Sequence, residues 1–466
     1  ACKVESDGIS FIKFTAAEDN GLCFGFYQYL RNSGFRFYQP GSAWEIIPSL
    51  SSAYKKTDTI YTTGFKYKSW FISGGNNRWV MDNSTAYSWD SYFGENGHNL
   101  ALYQRRNGML GANRFAGHRG DIMSGNYIAS LEANPCYIAC YNNLRIANNR
   151  SVPDVNSREA MNLWSSAIEQ KYTQYKDIIL GNTGLYVNQY RNFNYGGQNI
   201  GIEVPDGSQW GNSKDNGLCS NTDYSSASDQ QFTLSNFTAQ KISDKYPNKR
   251  FQLYAYAAHA DVPNEKISIN DNLDIQLIPA VYQNVTSANG LRNRWYNRSK
   301  NISEYNYLNL SGWSGETPAF YLDDFKATVQ IAKDKKSQGL FWEASPAKFA
   351  SLPYLLAANN DLKDHVSIDN TLQEFCDDMF GGAANTIYSL LQLWTDSKIM
   401  AGGFSNKYKI PLYLKMISEA EQQTKEAPAV VQDRIRELKA YLHYMILYFD
   451  WVCDQRTDAA KIDKAA

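Results

Sequence analysis

The sequence predicts a (β/α)8 barrel with a small N-terminal α/β domain and a C-terminal helical domain. Between residues 59 and 352, short β-rich segments alternate with helical stretches, which is the order of elements in parallel-sheet folds. Residues 1–58 contain one helical pattern among strand patterns, and residues 353–466 show apolar residues at helical spacing. A chain of 466 residues is also too long for one ordinary core, so several domains are expected.

The small domain, residues 1–58, is predicted from three segments. Ile9–Phe14 alternates like a strand, Asn20–Asn32 has the apolar spacing of a helix, and Phe35–Tyr38 is a second short strand that Pro40 ends. One helix and two strands cannot bury a core alone. We therefore expect this domain to be truncated, or to pack on another part of the protein.

Eight segments between residues 59 and 352 have the composition of strands. They are Phe65–Ile72, Arg114–Ala116, Gly184–Tyr190, Asn199–Val204, Gln252–Ala257, Ile275–Pro279, Asn306–Leu310 and Gly339–Trp342. Helical patterns lie between several of them: Leu100–Leu110, Arg158–Asp177, Asp229–Lys245 and Leu322–Lys335. Eight strands favour a (β/α)8 barrel with long loops. A doubly wound open sheet is the alternative, but no Gly-rich phosphate-binding turn follows the first strand.

Residues 353–466 are predicted to form a helical domain. The helical segments are Leu355–Asn359, Ile368–Met379, Ala384–Asp396, Pro411–Lys425 and Pro428–Cys453. Pro411 and Pro428 stand where the first turn of a helix tolerates proline.

The composition excludes some classes of function. The net charge is −1 and no long basic run occurs, so nothing indicates a nucleic-acid partner. No segment approaches the ~20 apolar residues of a membrane span. The 33 Tyr and 11 Trp supply flat amphipathic surfaces of the kind on which sugars stack. The chain opens at Ala1-Cys2 without a signal peptide, and we interpret it as a mature or trimmed form.

The seven cysteines are scattered along the chain and are interpreted as small buried or paired residues. Cys136 and Cys140 lie close together, but no Cys–His cluster with zinc-ligand spacing accompanies them. The five histidines form no His-x-x-x-His pair. We therefore expect neither a metal nor another cofactor.

Acidic residues follow two of the predicted strands. Glu343 ends the segment Gly339-Leu340-Phe341-Trp342-Glu343, and Glu203 and Asp206 follow Asn199-Ile200-Gly201-Ile202. In a barrel, functional groups lie on loops at the carboxyl ends of the strands. A buried strand-end carboxylate is costly unless it is hydrogen-bonded, paired or used in catalysis.

These carboxylates suit glycosidic bond cleavage, which needs a proton donor and a second carboxylate that attacks or activates water. Asp206 and Glu343 are the predicted pair, with Glu203 as the alternative to Asp206. For each, a structural role is the competing interpretation, and Asp206 also suits a Pro-Asp-Gly turn. A carboxylate separation of ~5 Å would predict retention of configuration, and ~6.5–9.5 Å inversion.

Aromatic and basic residues at other strand ends are predicted to contact the sugar. The substrate-binding candidates are His118, Arg119, Tyr256, His259, Tyr282, Tyr307, Trp313 and Trp342. Tyr254 and Tyr305 belong to the same strand-end cluster. Arg119 is the candidate for pairing with a uronate carboxylate, because arginine binds such groups through two hydrogen bonds.

Several segments resemble a known family. Phe24-Gly25-Phe26-Tyr27-Gln28-Tyr29-Leu30, Gly34-Phe35-Arg36-Phe37-Tyr38-Gln39-Pro40-Gly41 and Glu45-Ile46-Ile47-Pro48 resemble the domain that precedes the barrel in family 67 α-glucuronidases. The same domain precedes the barrel in Bacteroidetes proteins of the DUF4838 group. Leu253-Tyr254-Ala255-Tyr256, Tyr305-Asn306-Tyr307 and Gly339-Leu340-Phe341-Trp342-Glu343 extend this resemblance through the middle of the chain.

The resemblance implies a glycoside hydrolase-like barrel engaged in glycan degradation, in the periplasm, at the cell surface or secreted. By position, Asp206 matches the acidic turn of the fourth strand, Glu343 the glutamate of the eighth, and His118 a histidine-bearing loop. The chain departs from its relatives in one respect, because Cys219 alone remains of several closely spaced cysteines after the acidic turn.

We therefore predict a glycoside hydrolase that acts on an oligo- or polysaccharide, with uronic acid as a candidate component. A non-catalytic glycan-binding protein on the same scaffold is the alternative. A third option is a hydrolase that uses the acetamido group of its substrate, which Glu203 and Asp206 on one strand end would favour. The sequence leaves the sugar, the linkage and the oligomeric state open.

Overall fold

The computed structural model describes most of the chain. The described residues are 1–72 with gaps at 18, 40–41 and 50–54; 102–109 without 104; 118; 122–123; 125–175; 199–282 with gaps at 216 and 220–223; 288–309; 322–344; 368–395; and 409–453. None of the helices in these ranges combines the length and the apolarity needed to cross a membrane.

A curled, six-stranded parallel sheet forms the centre of the described structure. Its strands are β6 Tyr67–Ile72, β7 Asn199–Gly201, β8 Arg250–Ala257, β9 Leu273–Tyr282, β10 Ile302–Asn309 and β11 Gly339–Ala344. Their spatial order is β6-β11-β10-β9-β8-β7, and every neighbouring pair is parallel. The first strand in sequence therefore pairs with the last, which is the contact that closes a barrel.

Six of the eight predicted strands are confirmed by this sheet. The other two, Arg114–Ala116 and Gly184–Tyr190, lie outside the described residues, between β6 and β7 in sequence. The described part is thus a half-barrel, and the complete (β/α)8 barrel stays a prediction.

The two faces of the sheet follow from the two-residue period of a strand. On β8, Phe251, Leu253 and Ala255 lie in the outer apolar cluster under the helices, whereas Gln252 and Tyr254 alternate with them and point to the inner face. The helices around the sheet are α2 Gly125–Ala133, α3 Arg158–Tyr175, α4 Ala227–Ser243, α5 Ala288–Arg298 and α6 Leu322–Asp334.

A polar network occupies the inner face near the amino ends of the strands. Arg250 Nε lies 3.0 Å from both carboxylate oxygens of Asp274, and the side-chain amide of Asn199 donates to Asp274 at 3.0 Å. Because Asp274 accepts hydrogen bonds from both Arg250 and Asn199, these contacts favour a structural role for this end of the half-barrel. The chemistry-bearing residues are found at the opposite, carboxyl end.

The N-terminal region is a three-stranded antiparallel sheet covered by one helix, and its first strand in sequence lies between the other two. The elements are β1 Cys2–Ser6, β2 Ile12–Ala16, β5 Thr57–Tyr61 and α1 Asp19–Asn32, with a small β3 Arg36–Phe37 and β4 Glu45–Ile46 pair beyond the helix. A Cβ at Gly25 would lie 2.2 Å from Cys2 Sγ, so only glycine allows α1 to approach β1 this closely.

The predicted strand Ile9–Phe14 begins later than expected, at Ile12. The Asp7 carboxylate accepts hydrogen bonds from the backbone N–H groups of Ile9, Ser10 and Phe11, which turns the chain there and removes these residues from the strand. Strand β5 spans the predicted limit at residue 58 and pairs with β1. The domain limits themselves remain predictions.

The C-terminal helices are α7 Ile368–Phe380, α8 Ala384–Thr395, α9 Ile410–Gln423 and α10 Ala429–Cys453. Their apolar faces share one core cluster with Trp44 of the N-terminal region and with Leu340 and Trp342 on the outer face of β11. Arg36 adds an ion pair to Glu374 at 2.7 Å. The helices therefore pack on the outer face of β11, the strand that carries Glu343 on its inner face.

Candidate active site

Glu343 lies on the inner face near the carboxyl end of β11, beside Tyr307 of β10 in the parallel register. The Tyr305 hydroxyl donates a hydrogen bond to Glu343 Oε2. Burial raises the pKa of Glu343 to about 7; the hydrogen bond from Tyr305 opposes this shift, and the charge of Asp206 adds to it. Glu343 therefore has the environment of a carboxylic acid that keeps its proton close to neutral pH.

Asp206 lies in the turn after β7, and its side chain is 67% exposed. The turn continues through Gly207 at φ 66°, a conformation that favours glycine. The Tyr256 hydroxyl donates to Asp206 Oδ1 at 3.4 Å, and His118 Nε2 lies 3.7 Å from the same oxygen. His118 is itself held by Nδ1, 3.2 Å from the carbonyl oxygen of Val204.

The two carboxyl groups border one cluster of tyrosines. Burial, the charge and hydrogen bond of Asp206, and the charge of Glu343 raise the pKa of Tyr256 to about 12. Burial together with Glu343 and Asp206 also raises the pKa of Tyr307. Asp206 and Glu343 therefore act on the same two phenols, although they are 137 positions apart in the sequence.

The tyrosine layer is defined as Tyr67, Tyr254, Tyr256, Tyr305 and Tyr307, which pack with Ile278 and Phe341 on the inner face. Its rings meet mostly edge to face: Tyr254 and Tyr305 at 5.6 Å, and Tyr305 and Tyr307 at 5.8 Å. The His118 ring adds contacts at 5.1 Å to Tyr254 and 5.2 Å to Tyr256. The tyrosine layer is thus a packed set of aromatic rings in contact with both acids.

Glu203 points to the same inner face but is fully buried and engaged. It accepts the backbone N–H of Tyr254 at 2.7 Å and lies 2.9 Å from His259 Nε2. His259 is buried as well and packs against Trp210 at 5.4 Å. These contacts favour a structural role for Glu203 and His259, which fasten the end of β8 next to Tyr256.

The remaining predicted site residues divide into two groups. Trp342 lies on the face of β11 opposite to Glu343, where it is buried and packs on Phe325 of α6 at 5.5 Å. Alternation along the strand puts it in the core, and this position does not suit sugar contact. Arg119, Trp313 and the side chain of Tyr282 lie outside the described residues.

The loop that carries Asp206 is fastened to the segment before α3 by contacts that the sequence did not indicate. A disulfide joins Cys136 and Cys219, and Arg145 lies between two buried carboxylates, 2.8 Å from Asp154 and 2.6 Å from Asp215. The partners in this network are up to 83 residues apart in the sequence, so no local spacing of residues predicts that they pair.

Arg150 was also missed. Its backbone oxygen accepts from the N–H of Gln209 at 2.9 Å, and its Nε lies 3.5 Å from the position of a Cβ at Gly207. An exposed guanidinium is therefore held beside the turn that carries Asp206. In the part of the chain that the structure describes, no three His, Cys, Asp or Glu side chains form a group suited to a metal ion.

Replacing Arg145 with methionine is expected to lower the free energy of unfolding by about 3–5 kcal/mol, because two buried carboxylates lose their cation. Denaturant unfolding followed by tryptophan fluorescence measures this change. Arg150→Met is the matched control: it removes an exposed arginine from the same segment, and the expected change is within about 0.5 kcal/mol. Equal effects of the two variants would contradict the role given to the Arg145 network.

One family model matches part of the chain. Residues 202–392 match DUF4838, a domain of unknown function, and this range includes both Asp206 and Glu343. No curated protein matches the chain. The resemblance of residues 24–48 to the domain of family 67 α-glucuronidases stays a prediction.

The chain is similar in fold to solved glycoside hydrolases. One is a family GH115 4-O-methyl-alpha-glucuronidase with specificity for decorated arabinogalactans, at TM-score 0.53 and 12% identity, covering 96% of this chain and 62% of that one. Another is a family 89 glycoside hydrolase from Clostridium perfringens in complex with PUGNAc, at TM-score 0.48 and 10% identity, covering 100% of this chain and 60% of that one. This chain spans about three fifths of the length of either protein. At 12% identity, the likeness to the family GH115 structure shows a shared fold and no more.

Proposed function

We propose that this protein hydrolyses a glycosidic bond, with Glu343 as the proton donor and Asp206 as the second carboxylate. One observation carries the proposal: two carboxyl groups in opposite environments border one tyrosine layer at the carboxyl end of a parallel sheet. Paired acids whose environments separate their protonation states are typical of glycosidases.

The chemistry divides between the two acids according to their surroundings. Glu343, protonated close to neutral pH, gives its proton to the glycosidic oxygen as that bond breaks. Asp206 is exposed to solvent, and its carboxylate attacks the anomeric carbon or activates a water molecule. The rings of Tyr256 and Tyr307 offer apolar surface against the C–H groups of the sugar.

The engagement of Glu203 supports this choice of acids. Both of its oxygens hold protein groups, Tyr254 N–H and His259, in a fully buried position. Substrate-assisted catalysis would need both Glu203 and Asp206 as catalytic acids at the same strand end. The contacts of Glu203 therefore disfavour this mechanism. The contacts of Asp206, to His118 and Tyr256, leave most of its side chain open to solvent.

The proposed substrate is an oligo- or polysaccharide that contains uronic acid. The family GH115 neighbour acts on decorated arabinogalactans, and here Arg150 next to Gly207 supplies a cation at the rim of the site. Arg119 remains the sequence-based candidate for the same purpose. A periplasmic, cell-surface or secreted location is proposed with it, because the Cys136–Cys219 disulfide suits an oxidising compartment.

A reducing-sugar screen of the purified protein against uronic-acid and N-acetylhexosamine glycans tests the proposal. We expect wild type to release sugar from at least one acidic glycan, and the double variant Asp206→Asn, Glu343→Gln to release none. Binding of a glycan by both proteins without cleavage by either would overturn the hydrolase assignment and support a glycan-binding protein on the same scaffold.

A further inference from the structure

We infer that Tyr305 is a positioning residue for Glu343, whose hydroxyl hydrogen bond fixes the carboxyl group and sets the pH range in which it acts. The inference rests on the proposed function for its catalytic meaning. The contact itself does not depend on that function, and it can be tested without a substrate.

The sheet register explains how the two groups meet. Tyr305 pairs with Phe341 and Tyr307 with Glu343 on the neighbouring strands, so Glu343 stands two residues nearer the carboxyl end than Tyr305. Two residues along a parallel strand advance the chain by about 6.6 Å. The long tyrosine side chain spans this step, and its hydroxyl reaches Glu343 Oε2.

Packing gives Tyr305 little freedom. The residue is 3% exposed, and its ring contacts the rings of Tyr254 and Tyr307 edge to face. Such ring contacts hold the phenol in one orientation. A donor that is held in this way also holds the carboxyl group that accepts from it.

The direction of the hydrogen bond determines its effect. Burial and the neighbouring charge of Glu343 raise the pKa of Tyr305 well above its ordinary value, so the phenol keeps its proton and donates. Donation to a carboxylate stabilises the ionised form, and it therefore opposes the burial that raises the pKa of Glu343. Without this donor, the proton on Glu343 would be held more tightly.

Other groups also act on Glu343 and stay constant in the test. Asp206, Tyr256 and Tyr307 interact electrostatically with Glu343. Tyr67 and Tyr254 pack in the same tyrosine layer, and His118 lies beside Asp206. Because they are common to wild type and variant, a difference between the two reports the Tyr305 hydroxyl alone.

The test compares wild type with Tyr305→Phe and with Tyr127→Phe. Among the residues that the structure describes, the buried Tyr127 hydroxyl has no hydrogen-bond partner. In Tyr305→Phe, the alkaline limb of the pH–rate profile of glycan cleavage is expected to move up by about one pH unit. This is the size of shift expected for the loss of a hydrogen bond to a charged group. Tyr127→Phe should leave the limb in place. An unmoved limb in Tyr305→Phe would overturn the inference.

A second readout needs no substrate. The free energy of unfolding of wild type should decrease as pH rises from about 4.5 to about 7, because native Glu343 holds its proton more tightly than the unfolded chain does. In Tyr305→Phe this decrease should continue for about one further pH unit. A protein that cleaves no glycan but shows this extension refutes the proposed function and supports the contact; identical profiles overturn the inference.

Discussion

Replacing Glu343 with glutamine is expected to lower the rate of glycan cleavage by about 10²–10⁴-fold, the usual contribution of a general acid. Glutamine preserves the shape of the side chain and can still accept from Tyr305, but it has no acidic proton to give to the leaving oxygen. The rate measured with the substrate found in the glycan screen, at saturating concentration, checks this expectation. An aryl glycoside with a good leaving group should be affected less, because its departure needs less protonation.

The pH dependence of the wild-type rate decides the role of Glu343. Its raised pKa, about 7, means that the proton-donating form is lost as the pH rises through that value, so activity should fall on the alkaline side. Activity that instead rises through pH 7 would assign Glu343 as the base or nucleophile, and Asp206 would take the role of acid.

Stability provides the control for this variant. A carboxyl group with a raised native pKa stabilises the folded protein below its unfolded value of 4.5, and this contribution is lost as the pH rises to about 7. Glu343→Gln removes the titrating group, so its free energy of unfolding should decrease less than that of wild type over this range. Loss of activity together with general destabilisation at every pH would mean that Glu343 is chiefly structural.

Replacing Asp206 with asparagine is the second change with a large expected effect, again about 10²–10⁴-fold on the rate. The variant lacks the charge that attacks the anomeric carbon or activates water. Since the charge of Asp206 helps to raise the pKa of Glu343, the alkaline limb of the residual activity should also move to lower pH. Both effects are read from one pH–rate series.

Asp58→Asn is the matched control for Asp206→Asn. Asp58 is also an exposed aspartate, with 75% of its side chain accessible, but it lies in strand β5 of the N-terminal sheet. Its replacement should leave both the rate and the pH limb unchanged. If Asp206→Asn behaved like this control, the carboxylate of Asp206 would have no part in the reaction, and another residue would have to supply the second carboxylate.

The sequence by itself predicted most of the elements of the central sheet and the residues of the candidate site. Apolar periodicity predicted six strands that pair in one parallel sheet, and it placed acidic residues where β7 and β11 end. Glu343 and Asp206 could be selected because strand ends in such folds carry function. These predictions depended only on local patterns, and such patterns are formed by residues close together in the sequence.

Only the tertiary structure decided how these residues are used. A two-residue period shows that Trp342 and Glu343 face opposite sides, but it does not show which side is the interior; packing against the C-terminal helices settles this for Trp342. Likewise, Glu203 is engaged because β8 brings Tyr254 and His259 to it. The hydrogen bond of Tyr305 to Glu343 and the ion pairs of Arg145 join residues between 9 and 70 positions apart. Such contacts depend on strand register and loop packing, and a single sequence does not encode them in any local pattern.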